Sequence, residues 1–136
     1  LSTHIRATIW MASPLNYVVA SDLIQSGEAF AMAEKQKALA VQRQTLAKQI
    51  LGTDTQGTGY HIWLPLPDGW QQDKLVIEAK KQGILISSGG YFTADQHDSQ
   101  YVRLALTTIA AEKKFEQGLQ KLRVLLDNPA RVNFPV

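Results

Sequence analysis

The sequence predicts an α+β domain in which two leading helices precede a β-α-β-β-α segment, the small sheet being covered by helices on one face. Three patterns predict it. Apolar residues recur at helical spacing over 14–50, alternation of period two governs 60–66 and 101–106, and a strongly amphipathic helical pattern fills 115–126.

The first helix is announced by Ser13 as a hydroxyl N-cap and Pro14 at the first helical position, with Leu15, Val18, Val19 and Leu23 behind them and Gly27 as the stop. A long second helix follows, on which Met32, Leu39, Leu46 and Ile50 form a narrow apolar stripe. The other face carries Glu34, Lys35, Lys37, Gln42, Arg43 and Lys48 and reads as solvated. A short coiled-coil seam and a helix laid across a neighbouring domain both fit, the latter better, because so few stripe positions give little cooperative pairing.

Residues 52–59 hold three glycines among Thr, Asp and Gln, a loop composition that marks the main internal boundary. This divides the chain into interdomain helices over 1–52 and a small domain over 53–136. Tyr60, Ile62, Leu64 and Leu66 then alternate with His61, Trp63 and Pro65, which predicts a strand. Pro65 cannot donate to a ladder, so this strand lies at an edge or ends there. After the turn Pro67-Asp68-Gly69, a short helix carries Leu75, Val76 and Ala79 on one face, with Gly83 as its C-terminal cap. Ile84-Leu85-Ile86 reads as a buried strand, and Gly89-Gly90 as a tight loop with access to positive φ. Val102, Leu104 and Leu106 alternate with Tyr101, Arg103 and Ala105 in a third strand, and Phe115, Leu119, Leu122 and Leu126 define the closing helix, ended by Asp127-Asn128-Pro129.

Composition narrows the function. With 136 residues, 45% hydrophobic and 19% charged, the chain is long enough for one core and is not of disordered composition. A formal charge of +2 is too small for the footprint of a nucleic-acid binder. The absence of cysteine removes disulfides, thiolate metal sites and thiol nucleophiles, and with no membrane-length apolar run and no signal-peptide layout the expected location is cytoplasmic. The chain starts at Leu1 without a tail, which suggests a piece of a larger protein.

No catalytic or metal-ligating set emerges. His4, His61 and His97 are far apart in sequence, and Asp95, His97 and Asp98 fall in a polar loop that collects such residues anyway. Ser87-Ser88-Gly89-Gly90 lacks the following helix that a phosphate loop opens onto. Trp10, Trp63 and Trp70 are not interleaved with basic residues, and are expected in core or interdomain packing. Arg103 is the exception: it stands in mid-strand between apolar residues, where a guanidinium is either an ordinary solvent-facing charge or an anion anchor.

Gly59-Tyr60-His61-Ile62-Trp63-Leu64-Pro65-Leu66-Pro67, a helix, Gly83-Ile84-Leu85-Ile86, and Tyr101-Val102-Arg103-Leu104-Ala105-Leu106 together resemble the C-terminal small domain of fold-type-I, class I aminotransferases. The chain is most similar to the aminotransferase-like domain of MocR-type regulators of the GntR family, with Gln42-Arg43-Gln44 and Leu46 in the interdomain helix and Glu116-Gln117-Gly118-Leu119 in the closing one. The resemblance implies that Arg103 grips a substrate or effector α-carboxylate. It also matches Ser88-Gly89-Gly90-Tyr91-Phe92 to a family loop in which proline is usual at the place of Ser88. It implies pyridoxal 5'-phosphate in the parent protein, held by a large domain preceding this chain, with no cofactor expected on this piece. DNA would be met only through a winged-helix domain further upstream, and the complete protein would be a homodimer. The parent is then an amino-acid-sensing transcriptional regulator or a plain aminotransferase. A self-contained α+β binding or oligomerisation module is the reading without that ancestry.

Overall fold

The computed structural model describes residues 13–53, 59–94 and 100–129. In chain order the elements are α1 (Pro14–Gln25), α2 (Glu28–Leu51), β1 (His61–Pro65), α3 (Gln72–Lys81), β2 (Ser87–Ser88), a 3-10 turn (Gly89–Phe92), β3 (Tyr101–Ala105) and α4 (Glu112–Leu126). The chain is a small α+β fold, as its patterns predict.

It divides into two compact units, Leu1–Gln36 and Lys37–Val136. The boundary between them falls inside α2, whose C-terminal half supplies Ala47 and Leu51 to the core of the second unit. In the first unit, α1 buries none of its residues, and Leu15, Tyr17 and Val18 are each about two-thirds exposed. Gly27 ends α1 at φ 81°, a left-handed conformation that glycine adopts without penalty. Ser13 is the N-cap residue, but its hydroxyl makes no capping bond; its carbonyl instead accepts from the Asn16 amide at 3.1 Å.

In the second unit the buried line of α2 is Ala40, Arg43, Gln44, Ala47 and Leu51. The expected stripe is thus displaced by one position: Leu39, Leu46 and Ile50 are half-buried flanks, and Met32 is 60% exposed. Alanine at the line of closest approach lets the helix backbone come near its neighbours, while the larger residues spread to either side. The expectation that Arg43 belongs to the solvated face is overturned, since it is 1% exposed.

The sheet is antiparallel in the order β1-β3-β2, so β1 is an edge strand and ends at Pro65. Its register pairs Ile62 with Leu104, Trp63 with Arg103 and Leu64 with Val102, and β2 pairs Ser87 with Arg103. The predicted strand at Ile84-Leu85-Ile86 is absent, and Leu85 is 83% exposed. Here the chain is still completing the end of α3. Gly83 turns at φ 77° and the Ile84 amide reaches back to the Ala79 carbonyl at 2.9 Å, so pairing with β3 begins only at Ser87. Gly89 and Gly90 lie buried in the 3-10 turn and are not among the positive-φ glycines, contrary to their expected use.

Ile62, Leu64, Val102 and Leu104 point from the sheet into a core closed by Leu75 and Ala79 of α3 and by Phe115, Leu119, Leu122, Leu125 and Leu126 of α4. All four residues that defined the closing helix in the sequence are buried. Each contributes roughly 1.5–3 kcal/mol of hydrophobic stabilisation, which makes α4 integral to the unit. Trp70 is also buried and donates from Nε1 to the Leu126 carbonyl at 3.1 Å, satisfying its polar handle. Among the described residues no helix is long and apolar enough to cross a membrane.

Candidate functional site

Strand alternation sends the partners of the core residues to the opposite face of the sheet. That face carries His61, Trp63 and Pro65 from β1, Tyr101, Arg103 and Ala105 from β3, and Ser87 from β2. Arg103 sits at its centre, directly across from Trp63 on one side and Ser87 on the other.

The guanidinium is half-buried. It lies over the ring of Phe92, with Cζ 4.0 Å from the ring centroid. Phe92 in turn meets Trp63 in a perpendicular contact with centroids 5.5 Å apart. Nε of Arg103 is buried without a hydrogen-bond partner, and among the described residues no carboxylate or carbonyl is bonded to the terminal nitrogens. A guanidinium is costly to desolvate and carries five donors in a planar fork. Without an acceptor among the described residues, such a planar fork has the geometry to take a carboxylate by two parallel bonds.

The turn that carries Phe92 is fixed from beneath. Gln72, buried at the start of α3, accepts hydrogen bonds at Oε1 from the Ser88 hydroxyl at 2.7 Å and from the Gly90 amide at 2.9 Å. Ser88 therefore anchors this loop through its side chain.

The structure contains a second arginine that the sequence did not single out. Arg43 donates from Nη1 to the Leu106 carbonyl and from Nη2 to the Ile109 carbonyl at 2.6 Å, and its Cζ lies 4.8 Å from the centroid of Phe115. It ties α2 to the connection between β3 and α4. Alanines three residues before and four after it, at Ala40 and Ala47, are the signal that marks its face as an approach surface.

Of the other residues weighed from sequence, His61 lies exposed on β1, and Trp63 is 47% exposed on the Arg103 face rather than in the core. His4, Trp10, Asp95, His97 and Asp98 lie outside the described residues. Among the described residues no group of His, Cys, Asp or Glu could hold a metal ion. The nine lysines all fall in α2, α3 and α4, and none is on the strand face that carries Arg103.

On the helix side of the sheet lies a separate apolar groove of about 410 Å³. Ile84, Ile86, Leu104, Phe115 and Leu119 wall it, and Lys114 is its cationic residue. Arg103 takes no part in its lining.

No family model, curated protein or solved structure matches the chain.

Proposed function

We propose that this chain is the carboxylate-gripping small domain of an aminotransferase-like protein, with Arg103 as the residue that binds the α-carboxylate of an amino-acid substrate or effector. One observation carries the reading: a half-buried guanidinium, without an acceptor among the described residues, lies over an aromatic ring at the centre of an open sheet face. Arg43, a structural arginine, has both terminal nitrogens bonded to carbonyls, and although its Nε, like that of Arg103, has no partner, the two differ at those terminal nitrogens.

In this reading the domain binds and orients; it does not catalyse. Pyridoxal phosphate supplies the electron sink for amino-acid chemistry, and its lysine and phosphate cradle belong to a partner domain. The parent is proposed to be a regulator of the GntR/MocR type, with the same grip serving a plain aminotransferase. In the full-length protein, Arg103→Lys should weaken amino-acid binding by about ten-fold or more, because an ammonium cannot reproduce the bidentate fork, while leaving cofactor attachment intact. Unchanged amino-acid affinity would end the assignment. A winged-helix segment in the coding sequence upstream of Leu1 separates the regulator from the enzyme.

A stand-alone binding module is the competing reading, favoured by the apolar groove on the helix side. It predicts that an apolar ligand protects the amides of Ile84 and Ile86 from hydrogen exchange and leaves Arg103 untouched. The carboxylate-grip reading predicts the reverse pattern on adding a carboxylate.

A further inference from the structure

We propose that Phe92, braced by Trp63, is a positioning residue that presents the Arg103 guanidinium end-on, so that an incoming carboxylate is bound through the two terminal nitrogens and not through the Nε edge. The inference rests on the carboxylate-grip reading and adds to it the direction of approach and the residues that set it.

Three observations combine. Nε of Arg103 is buried, so a ligand has no access to the side-on pair of donors formed by Nε and one terminal nitrogen. The ring of Phe92 lies against the guanidinium, with Cζ 4.0 Å from its centroid, and this contact leaves the terminal nitrogens as the means of binding. Phe92 is itself restrained by the perpendicular contact with Trp63, centroids 5.5 Å apart at 86°. The brace has a structural root, because Trp63 and Arg103 are register partners on adjacent strands and Phe92 is delivered from the turn that Gln72 anchors. An arginine side chain on an open face would otherwise sample many rotamers, and each must be given up when a ligand binds. Holding it on a ring before binding removes that cost.

The arrangement also selects among anions. An end-on fork suits a planar carboxylate, whose two oxygens match the spacing of the terminal nitrogens, over a spherical halide that can engage only one point. Trp63 and Tyr101, 47% and 46% exposed on the same face, leave apolar surface beside the bound carboxylate for the group that carries it.

The test is an acetate titration of this chain, with chloride as control, followed by NMR of the arginine side-chain resonances. The expected result in the parent sequence is that acetate shifts the Nη signals of Arg103 and leaves Nε nearly unmoved, while the side-chain protons keep the upfield shift imposed by the Phe92 ring. Phe92→Leu, which keeps apolar bulk but has no ring, should weaken acetate binding about two- to five-fold, the range of a partly exposed cation–π contact, and Phe92→Tyr should restore it. Trp63→Leu should act in the same direction, with Trp63→Phe as its rescue. No acetate-dependent shift at Arg103 would sink the carboxylate grip itself. Binding that persists unchanged in Phe92→Leu, or that moves Nε as much as Nη, would overturn the positioning role alone. If Phe92→Leu does not fold, the Nε-against-Nη pattern and the retained ring-current shift still decide the matter in the unaltered chain.

Discussion

Arg43 lies over the ring of Phe115 with its guanidinium carbon 4.8 Å from the ring centroid, and spends its donors on the carbonyls that lead from β3 into α4. Arg103 also lies over a phenyl ring, at 4.0 Å, yet among the described residues it has no acceptor. The two arginines use the same apolar support for opposite ends. One is joined to the framework through both terminal nitrogens, and the other has no acceptor among the described residues, which is the basis for proposing it as a ligand site.

Arg43→Ala should destabilise the fold by about 3–5 kcal/mol in urea unfolding, because it removes two charge-assisted hydrogen bonds and leaves buried carbonyls without donors. Arg43→Lys should recover only part of that loss, since an ammonium cannot reach separate carbonyls while stacking on Phe115. A loss below about 1 kcal/mol in Arg43→Ala would mean that water replaces the guanidinium at those carbonyls.

How far the fold was legible follows from what each pattern encodes. Period-two alternation at 60–66 and 101–106 and the i, i+3, i+4 spacing of α4 report one-sided burial directly, and those elements stand where the pattern puts them. Arg43 is misread because polarity alone marks the wet face of α2, whereas the structure buries it beside alanines. Ile84-Leu85-Ile86 is misread because β-branched composition carries no information on the helix cap that occupies the Ile84 amide. Arg103 was legible as an exception within its strand, but the stack with Phe92 was not, since it joins a turn to a strand across residues that pattern reasoning treats separately.

The closing helix provides a paired stability test. Leu122 is 1% exposed and fills the core, so Leu122→Ala should cost about 2–5 kcal/mol through lost transfer energy and the cavity left behind. Val124, two residues on, is 64% exposed, and Val124→Ala should change stability by no more than about 0.5 kcal/mol. Equal losses in chemical denaturation would show that α4 buries a different face from the one described.

Gln72 is expected to control the turn from a distance. Gln72→Leu deprives the Ser88 hydroxyl and the Gly90 amide of their common acceptor inside the protein, a loss of about 1–3 kcal/mol. The Gly90 amide should then exchange with solvent faster, and acetate affinity at Arg103 should fall because Phe92 is no longer held. Gln72→Glu keeps an acceptor in the first turn of α3, where the helix dipole favours negative charge, and should preserve the turn better than leucine does. Unaltered exchange at Gly90 in the leucine variant would remove Gln72 from this role.

The most discriminating substitution is Arg103→Met. A methionine retains the apolar stem that packs on Phe92 but has no charge to desolvate and no buried Nε left without a partner. Residues kept for binding are commonly suboptimal for stability, so removing this one should leave the fold unchanged or more stable by up to about 1 kcal/mol, while abolishing the acetate response. A purely structural arginine predicts the opposite sign. Loss of stability in Arg103→Met comparable to that in Arg43→Ala would place Arg103 in the framework of the sheet and leave the carboxylate grip without its residue.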